Sequence, residues 1–303
     1  MTALGPTTAD GAPAFGAPGS GIPGSGALRY DVFRSGSLPL ALPDLLPNGS
    51  GRTWAPLSST LVSGAEEAVL IDPPLTTLQA LAVGDRMEAI GKRLTHIVVT
   101  HGHGDRWFTA AMLTDRFPGA RVVATAGTIR QMHRAADARA GFWDRMLPGH
   151  IPPSPVTAEP GHLVLLEGHA LDIVEVGHSD TDDTSVVHVP NLGLVVAGDV
   201  VYNGVHQFLV ESGDSGRDAW RTAIDAVETL HPRSIVAGHT IQGRDEDPTR
   251  LITATRQYLD DVDDLLGQLT TPVQFFEEML RRHPDHLNAS TLWGSALALY
   301  AGR

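Results

Sequence analysis

HIVVTHGHGDRW, residues 96–107, joins a short apolar run to a loop rich in histidine and glycine. Val98 and Val99 are β-branched, which predicts a buried strand ending near Thr100. Beyond it, His101 and His103 stand two apart, Asp105 follows two further on, and Gly102 and Gly104 lie between them. The glycines are expected to let the backbone turn tightly through positive φ. Imidazole and carboxylate groups gathered on one loop are the donors that zinc, iron or manganese take.

Three later segments have the same grammar of an apolar run with a polar donor at its exit. IVEVGHSDTDD gives His178, LVVAGD gives Asp199 and SIVAGH gives His239. A single histidine after a strand is more often an ordinary turn residue than a ligand. Four such exits in a chain without cysteine point to a metal centre, since no thiolate is present to share the work.

The bulk properties narrow the function. The chain has 303 residues, 42% of them apolar, and a net charge of −13. That charge argues against nucleic acid or an anionic membrane as partner, and a small-molecule substrate is expected. The absence of cysteine excludes disulfides and a cysteine nucleophile. No apolar run reaches membrane-spanning length, and the N-terminus has no secretory pattern, so a cytoplasmic enzyme is expected.

Residues 1–27 are rich in Gly, Pro and Ala and are expected to form a disordered arm. Residues 28–247 alternate strand and helix patterns in two rounds, which predicts an α+β domain of two mixed sheets with helices outside. Helices are predicted over 76–92, 110–116, 128–146 and 214–230, the last with Ser212 as a candidate N-cap. Residues 248–303 read as helices packed on the same domain, compatible with capping the site or with forming a homodimer.

The HGHGD motif, with His178, Asp199 and His239 following in order, resembles the metallo-β-lactamase superfamily over roughly residues 53–239. The resemblance implies an αββα sandwich. It implies one metal on His101, His103 and His178, a second on Asp105 and His239, and Asp199 bridging them. One or two zinc ions are expected, with iron or manganese as alternatives. The implied reaction is lactonase-like or glyoxalase II-like hydrolysis of a small ester, lactone or thioester by a metal-bound hydroxide. A mono-iron oxidative enzyme of the persulfide dioxygenase type is the alternative, and β-lactam hydrolysis is expected only as a side activity.

One position departs from the family pattern HxHxDH: its last histidine is Arg106 here. Arginine stays protonated and cannot ligate, so the second ion should be held more weakly. Asp105 is expected to orient the nucleophile. Tyr202, three residues past Asp199, matches a tyrosine of the family's acyl homoserine lactonases and is expected to donate to a developing oxyanion. Asp72, ending another strand, is read as either a support for a metal-bound histidine or a turn residue. Trp107, Phe108, Phe142, Trp143, Phe208 and Leu209 read first as core and second as pocket lining. His206 is expected at the surface, and Asp180, Asp182 and Asp183 in a solvated turn.

Overall fold

The computed structural model describes residues 14–15, 28–153 and 156–301. Its first half contains β1 (Ala14–Phe15), β2 (Arg29–Arg34), β3 (Leu38–Pro39), β4 (Thr53–Trp54), β5 (Ser58–Ser63) and β6 (Glu67–Ile71). Then come α1 (Thr77–Ile90), β7 (Arg93–Val98), α2 (Ala110–Arg116), β8 (Arg121–Ala124), α3 (Ala126–Ala138), α4 (Trp143–Met146) and β9 (Glu159–Pro160). The second half adds β10 (Leu163–Leu166), β11 (His169–Gly177), β12 (Thr184–Val189), β13 (Leu194–Asn203), α5 (Asp214–Thr229) and β14 (Ser234–Thr240). Three helices finish the chain: α6 (Pro248–Gln268), α7 (Pro272–Arg282) and α8 (Ala289–Tyr300).

The strands form two large mixed sheets, ordered β1-β2-β5-β6-β7-β8-β9 and β10-β11-β12-β13-β14, with β3 and β4 paired separately. In the first sheet β6 to β9 run parallel, and in the second only β13 and β14 do. Period-two alternation explains why the strands are apolar on both faces. In β6, Val69 and Ile71 point into a core between the sheets, while Ala68 and Leu70 join a second core under α1 to α4. In β13, Leu194 and Val196 point inward, while Val195 and Ala197 meet the core under α5 to α8. The layers are therefore helix, sheet, sheet, helix, as the two-round pattern predicted.

The helix predicted over 128–146 is two pieces, α3 and α4, separated around Gly141. Ser212 is not the N-cap of α5: Gly213 takes that position. The expectation of a disordered arm over 1–27 falls outside the described residues, save that Ala14 and Phe15 pair with Arg34 and Phe33 at the sheet edge. No helix among the described residues is long and apolar enough to cross a membrane. Helices α6 to α8 share one core with β13 and α5 through Tyr258, Phe275, Phe276 and Leu292.

The loop after β7 meets β12 and β13 and brings the sheets together at one end. Ser185, on β12, donates from its backbone N–H and its hydroxyl to the carbonyl of Thr100, at 2.8 and 2.7 Å. On β13, Gly198 lies so close to Thr100 that a Cβ there would stand 2.6 Å from the Thr100 hydroxyl. Close approach, together with a φ of 49°, makes glycine necessary at that position.

Candidate metal centre

The loop after β7 is held from behind by Asp72, which directly follows β6. Asp72 adopts a φ of 53°, a region that Asp enters more readily than most residues. Its carboxylate accepts from the Thr100 N–H at 2.9 Å and from the Thr100 hydroxyl at 2.8 Å. The Thr100 oxygen lies 3.2 Å from Nδ1 of His101. Because the hydroxyl proton goes to Asp72, that oxygen is free to accept from His101, which leaves the His101 Nε2 as a lone pair. Burial raises the Asp72 pKa, against the opposing pull of Arg106 and His101. Asp72 is thus a support for a donor histidine, the first of the two readings of it.

Gly102 and Gly104 do not adopt positive φ, contrary to expectation. They are needed for close packing. A Cβ at Gly102 would lie 2.2 Å from the Gln131 Cβ on α3, and one at Gly104 would lie 2.0 Å from the Phe108 ring. The Trp107 indole N–H donates to the Gly102 carbonyl at 2.9 Å and fastens the loop on itself.

His103 faces a carboxylate on each side. Its Nδ1 is 2.8 Å from Asp180 Oδ2, and its Nε2 is 3.1 Å from Glu211 Oε1. Glu211 also accepts from the Thr181 hydroxyl at 2.7 Å, so it is held in place to receive the Nε2 proton. Nδ1 is then the free donor. Burial opposes a charge on His103, but Asp180 and Glu211 outweigh it and raise its pKa well above the ordinary imidazole value. The surroundings favour a cation at this point.

His178 is not part of this group. Its Nε2 is 2.9 Å from the Ser212 hydroxyl and its Nδ1 is 2.7 Å from Asp182. The ladder between β11 and β12 is irregular between Glu175 and Gly177, and Gly177 has a φ of 88°. This bend, just before the ligand position, turns His178 toward α5 and sends Asp180 inward. Asp180 is fully buried, not part of a solvated turn, and its Oδ2 lies 3.8 Å from His101 Nε2. Among the described residues, His101, His103 and Asp180 form the one group of three whose donor atoms all lie within 4.8 Å of one another.

Asp105, Asp199, His239 and Tyr202 gather beside this group. Asp199 Oδ1 pairs with Arg106 Nη2. Asp199 Oδ2 accepts from the Tyr202 hydroxyl at 3.1 Å and lies 3.1 Å from His239 Nε2 and 3.8 Å from His101 Nε2. Burial opposes its ionisation, but Arg106, His239 and His101 outweigh it and hold the carboxyl well below its ordinary range. His239 donates from Nδ1 to the Pro56 carbonyl at 2.8 Å, which turns Nε2 toward Asp199 and, at 3.8 Å, toward Asp105. The Tyr202 ring stacks on His239 with centroids 5.3 Å apart. Its phenol, expected to face an oxyanion, gives its proton to Asp199. Burial and that carboxylate push its pKa well up.

The donors present fit a divalent ion. His101 Nε2 is buried without a hydrogen-bond partner, and Asp180 Oδ2 meets only His103 Nδ1, at 2.8 Å. An unpaired buried polar atom is costly, and a cation held between His101, His103 and Asp180 would satisfy it. The site opens into a cavity of about 380 Å³. Trp54, Phe142, Trp143, Phe208 and Val210 make its apolar wall, while Asp105, Asp180, Asp199 and Glu211 line the floor. His206, expected at the surface, is fully buried under this cavity with Nδ1 3.0 Å from the Tyr258 hydroxyl. Trp107, Phe108 and Leu209 are core, as their first reading has it. Asp180 was visible in sequence only as one member of an acidic run, and Glu211 carried no signal.

Residues 52–239 match the family model described as the metallo-beta-lactamase superfamily. The chain belongs to this superfamily. Several solved structures are similar in fold. A metallo-beta-lactamase family protein from Thermus thermophilus is 21% identical with a TM-score of 0.58, covering 87% of this chain and 91% of its own. The metallo-beta-lactamase FIM-1 from Pseudomonas aeruginosa, in a mono-zinc form, is 18% identical with a TM-score of 0.54, covering 82% and 95%. A metallo-beta-lactamase from Pontibacter korlensis is 18% identical with a TM-score of 0.55, covering 80% and 99%. No curated protein matches the chain.

Proposed function

We propose that this member of the superfamily is a metal-dependent hydrolase of a small ester, lactone or thioester with an apolar substituent. The observation that carries the reading is the compact group of His101, His103 and Asp180, with His101 Nε2 buried and unpaired, at the floor of an apolar cavity. An ion held there, zinc on the family's general habit, supplies Lewis acidity and lowers the pKa of water.

The chain's own residues do the rest. Asp105 lines the cavity as an acceptor for the proton of the attacking water. Asp199 and Glu211 fix Tyr202 and His103 and keep the floor anionic. Trp54, Phe142, Trp143 and Phe208 exclude water and hold the apolar part of the substrate.

The test is kcat/KM on a panel of neutral aryl and alkyl esters, lactones and thioesters, before and after chelation and after metal is restored. Support is hydrolysis of at least one class that chelation abolishes and metal restores. Turnover unaffected by chelation would contradict it. One observation favours a second reading: two imidazoles and one carboxylate are also the donor set of non-haem iron oxygenases. Iron in the purified protein, with thiol-dependent oxygen consumption and no hydrolysis, would establish that alternative.

A further inference from the structure

We propose that the Arg106 guanidinium is the fixed second cation of this site, so that the chain holds one metal ion, on His101, His103 and Asp180, and not two. The proposal rests on the reading that those three residues hold an ion.

Asp199 was expected to bridge two ions. In the structure both of its oxygens are engaged by protein groups. Oδ1 pairs with Arg106 Nη2, and Oδ2 meets Tyr202 and His239, each at 3.1 Å. The guanidinium is not a surface group resting nearby. Arg106 is 1% exposed, and its Nη1 donates to the Gly238 carbonyl at 3.1 Å.

The surrounding chain is shaped to admit this pair. A Cβ at Gly238 would stand 2.3 Å from Asp199 Oδ1 and 2.7 Å from Arg106 Nη2. Only a residue without a side chain lets the backbone pass so close, and Gly238 immediately precedes His239 on β14. Sequence and packing thus build the ion pair into the strand that carries the last expected ligand.

Charge gives the same answer. Asp199, Asp105 and Asp72 all act on Arg106, and together they outweigh the effect of burial and hold it firmly protonated. A guanidinium does not lose its proton, so this neutralisation does not depend on metal supply. A second dication beside Asp199 would be repelled by the guanidinium at short range, in surroundings that screen poorly. His239 Nε2 lies 3.1 Å from Asp199 and 3.8 Å from Asp105, where that ion would go, but the Asp199 oxygens already take the guanidinium and the phenol.

The experiment is metal per chain by elemental analysis after saturation with zinc and matched dialysis, for wild type, Arg106→His and Arg106→Lys. One ion is expected in wild type and in Arg106→Lys, which keeps the charge. Two are expected in Arg106→His, where the cation is gone and an imidazole donor is added. Two ions in wild type, or one in a folded Arg106→His, would overturn the proposal while leaving the hydrolase reading intact. No ion in wild type would remove the metal centre itself and both readings with it. Should the Arg106 variants not fold, the wild-type count decides alone: one supports the proposal and two overturn it.

Discussion

The Asp180 carboxylate lies 2.8 Å from Nδ1 of His103, in the group that was expected to include His178. His178, two residues earlier, is bonded to Ser212 and Asp182 instead. Asp180→Asn should therefore weaken zinc binding by more than about 100-fold, beyond the usual cost of losing an outer partner of a ligand. His178→Gln should weaken it by no more than about tenfold, the lower end of that range, through the Ser212 contact that steadies the loop. Competitive titration with a chromogenic chelator measures both. The reverse order of effects would restore His178 as the ligand.

Asp72 should matter to both stability and metal. Asp72→Ala removes two hydrogen bonds from a buried carboxylate to Thr100 and puts alanine, which tolerates that region less well than Asp, at a φ of 53°. The combined loss is roughly 3–5 kcal/mol, from charged hydrogen bonds and left-handed strain together. Asp72→Asn keeps one acceptor and tolerates the backbone, so it should lose clearly less. Urea denaturation of the two variants checks the order, and equal losses would show that the carboxylate is not what holds Thr100.

Much of this architecture can be read from the sequence because the strands alternate strictly. Val69 against Leu70, and Val195 against Val196, already announce a sheet buried on both faces. His101, His103, Asp199 and His239 are legible by residue type; the three histidines lie at or near strand ends, while β13 runs past Asp199 to Asn203. Asp180 is not, because an aspartate in an SDTDD run looks solvated until the irregular ladder before Gly177 turns it inward. The Arg106–Asp199 pair joins residues 93 apart in sequence, and no local pattern records such a contact. The glycines of the loop serve through clearance from Gln131 and Phe108, not through the positive φ expected of them.

Tyr202 gives a separable effect. Its phenol proton is committed to Asp199, so it is not free to stabilise an oxyanion without breaking that bond. Tyr202→Phe should lower kcat by less than about tenfold, well short of the roughly hundred- to thousandfold cost of losing an oxyanion donor. It should also cost about 1.5–3 kcal/mol in stability, the worth of a hydrogen bond to a charged acceptor. A hundredfold fall in kcat with unchanged stability would return Tyr202 to the reacting carbonyl.

A histidine cluster below the cavity sets an acid limit on stability. His206, His283 and His286 pack with ring centroids 4.8 to 5.4 Å apart, beside Tyr258, Asp261 and Arg244. Burial, then His283 and Arg244, lower the His286 pKa from 6.5 to about 4. Between those values the unfolded chain binds the proton and the folded chain does not. Stability is therefore complete above about pH 6.5 and falls as the pH drops toward about 4. His286→Gln should flatten the melting temperature across that window. An unchanged slope would place the acid sensitivity elsewhere.

One ion on His101, His103 and Asp180, with Arg106 supplying the second positive charge, makes a definite prediction about metal position. Anomalous diffraction from crystals of the zinc-loaded protein, collected on both sides of the zinc edge, tests this most directly. The expected result is a single strong peak bounded by His101 Nε2, His103 Nδ1 and Asp180 Oδ2, with Arg106 still on Asp199. A peak bounded by His178, or a second peak among Asp105, Asp199 and His239, would contradict it.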